Sequence, residues 1–204
     1  MNEKLKYEIE RLFKAKDEDL ELFKQQTLAY RRNNNFLSGQ MLKVGELPFL
    51  YTLFGFQKNF VWLPQRNIDK VIQKHDNSYD KLDNIMKEIA DPIMIFRSKK
   101  KRKERSLIVL TSYIDNNQKQ EVVILNPINN RTIIDSIYGY SEYEIVKSFD
   151  RLVYVDKNKT LSIAGHPDIC NAKRSNTESD AIILEKWFIV NRYCRDARLK
   201  QPQC

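Results

Sequence analysis

The chain has 204 residues, 42 % of them hydrophobic, and carries a formal charge of +8 with a pI near 9.3. That length suffices for one domain with a proper core plus an appendage, and the charge attracts any polyanion that comes within a Debye length of about 10 Å. Nucleic acid therefore leads the candidate partners, ahead of an anionic membrane surface or an acidic protein, although abundant Lys and Asn also follow from an AT-rich genome.

The first 35 residues place Leu5, Ile9, Leu12, Phe13, Leu20, Phe23 and Leu28 near helical spacing among Lys and Glu, which predicts an amphipathic helical lead. This stretch is charged throughout and reads as neither signal nor transit peptide, and no apolar run approaches the roughly 18 residues of a membrane helix. A cytoplasmic protein without membrane insertion is expected. "RRNNNFLSGQ" (31–40) breaks the helical pattern and sets a boundary near residue 35.

"ELPFLYTLFGFQ" (46–57) is apolar at almost every position, with Gly55 as a helix stop, and "NFVWLP" reads as a buried strand ended by Pro64. Two short helices follow in "NIDKVIQKH" (67–75) and "SYDKLDNIMKEIADP" (78–92). "IMIFRS", "SLIVLTSYI", "QEVVILNPI" and "TIIDSIYG" are β-rich, and "DNNQ" (115–118) between two of them predicts an antiparallel hairpin. "SEYEIVKSFDRL" reads as a helix and "VYVDK" as a last strand.

Helices first and a strand meander second is an α+β order: an antiparallel sheet of four to five strands with preceding helices. The chain beyond the last strand is a C-terminal extension with a helix near 181–194. The five glycines are isolated, so no phosphate loop is present in the sequence. Cys170, Cys194 and Cys204 lack the spacing of a zinc site or a disulfide framework, and neither a metal nor a cofactor is expected.

The blocks "VGELPFLYTLFGF", "KVIQKH", "ADPIMIFRS", "SLIVLTSYIDNNQKQEVVILNP", "IIDSIYGY" and "RLVYVDKNK" occur in an order that resembles a family of phage-associated nuclease-like domains. These domains share the barnase, EndoU, colicin and RelE fold group, and occur at the carboxyl ends of phage MuF-type head proteins, in polyvalent proteins and in polymorphic toxins. The resemblance covers about residues 44–157. It implies a barnase-like core and an effector of a phage or mobile element, delivered with a phage particle or by a route that reads no cleavable signal. It implies RNA as the partner, with tRNA among the candidates, and an immunity or antitoxin protein.

RNA cleavage without a metal needs a base for the ribose 2′-hydroxyl, an acid for the leaving oxygen and cations around the transition state. His75 falls on the "KH" block, and its near-neutral intrinsic pKa suits acid or base work; its bland role is a helix-terminal histidine favoured by the dipole. Arg97, with Ser98, ends the "IMIF" strand, where a guanidinium fork can clamp phosphate or pair with a carboxylate. Thr111 ends "LIVL", while Ser136 and Tyr138 alternate on one strand face within the "SIYG" block and could form a phosphate pocket opposite His75.

Lys74 and the run "KKKRKER", which holds Lys99, Lys100, Lys101, Arg102, Lys103 and Arg105, are the expected nucleic-acid-binding cations. The run lies between two strands, hence on a loop, where it either tracks phosphates or merely keeps the sheet solvated. His166 in "AGHPD" is a reserve candidate outside the ordered blocks.

The reading that follows is a metal-independent ribonuclease-like effector acting by transesterification. Two alternatives remain open: an inactive scaffold that binds nucleic acid or protein, such as a counter-defence factor, and a nucleotidyl or ADP-ribosyl transferase. Convergence of His75, Arg97, Ser136 and Tyr138 in one cleft separates the first from the second.

Overall fold

Three runs rich in β-branched residues build the middle of the molecule: β4 (Leu107–Ile114), β5 (Gln120–Ile128) and β6 (Arg131–Tyr140). They pair antiparallel in succession. The β4–β5 turn is the expected "DNNQ" hairpin, in which Asp115 Oδ1 accepts from the amides of Asn117 and Lys119, each over 2.8 Å. The β5–β6 turn needs two residues at positive φ, and Asn129 (47°) and Asn130 (59°) supply them, the side chain after glycine best suited to that region.

This computed structural model describes residues 14–33, 40–74, 79–99, 105–156 and 159. Outside the central strands lie β1 (Met41–Glu46), β2 (Phe60–Pro64), β3 (Met94–Arg97) and β7 (Leu152–Val155). Together they form a seven-stranded sheet in the order β1-β2-β6-β5-β4-β3-β7. The α+β class is as expected, but the sheet is larger than four to five strands and is mixed. β2 runs parallel to β6 through Val61↔Thr132 and Trp62↔Ile133, a pairing between distant segments that local patterns do not reveal.

One face of the sheet carries α1 (Asp17–Asn33), a 3-10 helix (Phe49–Phe54), α2 (Gln65–Lys74), α3 (Tyr79–Asp83) and α4 (Ile85–Ala90). α1 opens on Asp17, Glu18 and Asp19 and closes on Arg31 and Arg32, a charge order that its dipole favours. Phe23, Thr27 and Tyr30 recur at helical spacing and are buried, Phe23 and Tyr30 in the same core as Val109, Val123 and Ile134 from the central strands.

α1 also shields the outermost strand. Gln26 exchanges two hydrogen bonds of 3.1 Å with the backbone of Lys43, and Asp19 accepts from the Glu46 amide over 2.8 Å, so backbone groups of β1 are met by side chains. Gly45 permits this approach, because a Cβ there would lie 3.0 Å from Met86 Cγ and 3.3 Å from Asp19 Cβ.

The opposite face buries Met94, Phe96, Ile108, Leu110, Val122 and Ile124 under a much smaller cover, α5 (Glu142–Val146) and a 3-10 turn at Phe149–Arg151. Among the described residues this cover is thin and leaves part of the sheet face to line a cleft. The expected helix near 181–194 lies outside the described residues. Among the described residues no helix is long and apolar enough to cross a membrane.

Candidate functional site: a cationic cleft beside strand β6

β2 pairs with only two residues of β6 and gives way to α2 at Gln65, so from Ile134 onward that edge of β6 faces a helix instead of a strand. Asn67 Nδ2 donates to the Ile134 carbonyl over 2.7 Å and fixes α2 against the edge. At the same place the β5–β6 register shifts: Ile124 opposes Ser136 and Leu125 opposes Ile134, leaving Asp135 as the extra residue of a bulge. The bulge lets Ile134 and Ile137 both enter the helix-side core while Ser136, Tyr138 and Tyr140 face the other way.

Those three side chains line a cleft of about 780 Å³, with Ile108 and Ile124 as its apolar floor. Lys70 enters from α2, Ser98 and Lys99 from the end of β3, and Tyr143, Glu144, Lys147 and Arg151 from α5 and its continuation. Among the described residues four cations thus face two carboxylates, Asp135 and Glu144. The volume lies in the range of about 300–1,000 Å³ usual for ligand sites.

Several wall groups are committed to structure. Glu144 closes a capping box at Ser141, accepting from the Ser141 amide and hydroxyl over 2.8 Å each, and the backbone bond foremost holds its carboxyl below the usual 4.5. Arg151 donates to the Arg97 carbonyl and to Ser148 Oγ, each over 2.9 Å, and to Asp150 over 3.1 Å. Lys70 is exposed and its ammonium lies 3.3 Å from Ser136 Oγ, a side chain only 6 % exposed. Burial, then the neighbouring Tyr140, through charge and a side-chain hydrogen bond, pushes the Tyr138 phenol well up, so it remains protonated at neutral pH. The two rings are tilted at 55° with centroids 5.6 Å apart. Among the described residues no group of three or more His, Cys, Asp or Glu side chains is placed to hold a metal ion.

Residues 66–162 match the model of the phage MuF-C-terminal domain family. The match supports a phage-associated family for this segment, and every residue lining the cleft falls within it. α1, β1 and β2 precede the MuF-C-like segment. No curated protein and no solved structure matches the chain.

Within the MuF-C-like segment, Ser136 and Tyr138 meet in the cleft, on one strand face as alternation requires. Thr111 is elsewhere: fully buried, it donates to the Glu121 carbonyl over 3.0 Å. Arg97 is not among the lining residues, because Met94 and Phe96 take the cleft side of β3 and Arg97 alternates with them, on the side of Ile95. Its carbonyl, not its guanidinium, serves the cleft wall through Arg151. His75 and Lys100, Lys101, Arg102 and Lys103 lie outside the described residues, and Lys74 is the last residue of α2. Lys99 lines the cleft, whereas the exposed Arg105 does not.

The cations that the sequence did not single out are Lys70, Lys147 and Arg151. Tyr140 was within reach of sequence reasoning, since it is the next residue on the Ser136 and Tyr138 face.

Proposed function

We propose that the cleft binds RNA and that the chain is a phage or mobile-element effector that cleaves it by attack of the ribose 2′-hydroxyl. The contact between Lys70 and Ser136, beside a protonated Tyr138, carries this reading: it joins a cation, a hydroxyl and a phenol donor in one concave site. Such a set suits a phosphodiester, whose oxygens accept from all three. Lys99 and Lys147 on the rim extend the attraction to neighbouring phosphates.

In this scheme His75, which follows α2 directly, takes the 2′-hydroxyl proton; the 2′-oxygen bonds to phosphorus, and the departing 5′-oxygen takes a proton from solvent. Lys70 and Tyr138 oppose the charge that grows on the phosphoryl oxygens. The test is incubation of a fluorescent oligouridylate with the purified chain in EDTA, beside the Lys70→Met and His75→Ala variants. Cyclic-phosphate ends that both variants abolish support the scheme, and intact RNA that no longer binds Lys70→Met removes only the chemistry.

Binding without cleavage is the second reading. It is favoured by the commitment of Glu144 to its capping box, which takes one of the two carboxylates among the described lining residues out of acid or base work.

A further inference from the structure

The rim of the cleft is aromatic as well as cationic. Among the exposed large hydrophobic side chains of the described residues Tyr143 stands furthest into solvent, at 71 %, although it sits on α5 beside a cleft with Ile108 and Ile124 in its lining. An aromatic ring of that exposure gains nothing from the core. Tyr140, partly exposed on β6, lines the same cleft, and its ring leans on Tyr138. Lys147 holds its ammonium over the Tyr143 ring, 5.6 Å from its centre, so a cation already lies against one face of the exposed ring.

We infer that Tyr143 and Tyr140 form a stacking platform for an unpaired nucleobase, making single-stranded RNA, and not duplex, the ligand of the cleft. The inference rests on the proposed RNA reading and names its substrate class. Stacking is open to any base, because each has a π-face, whereas the bases of an A-form duplex are stacked on one another and present only their edges. The chemistry divides along the cleft accordingly. Lys70, Ser136 and Tyr138 meet the phosphate at the β6 edge, and the two outer tyrosines meet the base at the α5 wall. Lys147, next to Tyr143, neutralises the phosphate adjoining the stacked base.

The experiment is fluorescence anisotropy on the full chain with three probes of equal length: an oligouridylate, a duplex, and a ribose-phosphate strand lacking bases. Two variants, Tyr143→Ala and Tyr143→Trp, accompany the wild type. The expected result is tight binding of the oligouridylate only, a loss of about tenfold in affinity for Tyr143→Ala, and retention in Tyr143→Trp. Because Tyr143 is exposed, its removal leaves the fold intact. Equal binding of the oligouridylate and the baseless strand, or a duplex bound as tightly as the single strand, overturns the platform while leaving the RNA reading in place. Failure of all three probes overturns that reading itself.

Discussion

Lys70 reaches Ser136 from a helix whose Ile68 and Val71 are buried on the other side of the sheet, a 3.3 Å contact made past the edge that β2 leaves open on β6. The contact joins the two faces of the molecule at the mouth of the cleft. An exposed ammonium held against a buried hydroxyl contributes little to stability, since the bond is long and the cation is screened. Lys70→Met is therefore expected to change unfolding free energy by no more than about 0.5 kcal/mol. Its effect falls on binding: if Lys70 neutralises one phosphate, the slope of log affinity against log salt for single-stranded RNA drops by about 0.7. Anisotropy titrations over a salt series measure this, and an unchanged slope removes Lys70 from the phosphate site.

The pairing of β4 with β5 was legible because both strands are runs of β-branched and apolar residues and the turn between them carries its own chemistry in Asp115. β1 was not. Leu42 and Val44 alternate correctly, but Gly45 and Glu46 interrupt the pattern, leaving too short a run to state a strand directly after the loop-like stretch 31–40. The parallel contact of β2 with β6 was hidden for a different reason, since nothing local in "NFVWLP" states which distant strand it will meet. The site was half legible in the same sense. Ser136 and Tyr138 follow from alternation, while Lys70 enters the cleft only through the place where β2 stops.

Gly139 shows how a visible residue can hide its reason. It stands in the "SIYG" block at an ordinary negative φ, so no left-handed conformation requires glycine there. What requires it is proximity: a Cβ would lie 2.1 Å from Asp115 Oδ2 and 2.7 Å from Lys119 Cβ. Gly139→Ala must push the Asp115 turn away and disturb the two amide bonds that Asp115 accepts, at a cost of about 1–3 kcal/mol. Urea denaturation checks the magnitude. Asp115→Ala in the same background is expected to recover part of it, since the clash is with that side chain.

Asp83 ties α1 to α3. Its carboxylate accepts from Thr27 Oγ1 and, over 2.9 Å, from Arg31 Nη2, while the Arg31 guanidinium lies 4.1 Å from the Tyr79 ring centre. Removing the acid leaves a largely buried cation without its partner, which in a fully buried pair costs roughly 3–5 kcal/mol. Arg31 keeps some solvent contact, so Asp83→Ala is expected to cost about 2 kcal/mol. A denaturation midpoint unchanged by the substitution would show that α1 is not held through Asp83.

The capping box at Ser141 sets the α5 wall of the cleft and therefore couples a local helix signal to binding. Ser141 Oγ accepts from the Glu144 amide over 3.4 Å and donates to its carboxylate, and the five-residue helix that follows carries Tyr143 and Glu144, with Lys147 at its end. Ser141→Ala is expected to cost about 1 kcal/mol at neutral pH and to weaken RNA binding by loosening that wall. Glu144 has its folded pKa below 4.5, so its contribution to stability is present in full above that pH and is lost as pH falls through the lower folded value. The stability difference between wild type and Glu144→Ala should accordingly be constant from pH 7 to about 5.5 and narrow below 4.5. Paired urea titrations across that range measure it, and a gap that stays constant down to pH 3 would mean the carboxylate charge plays no part in holding α5.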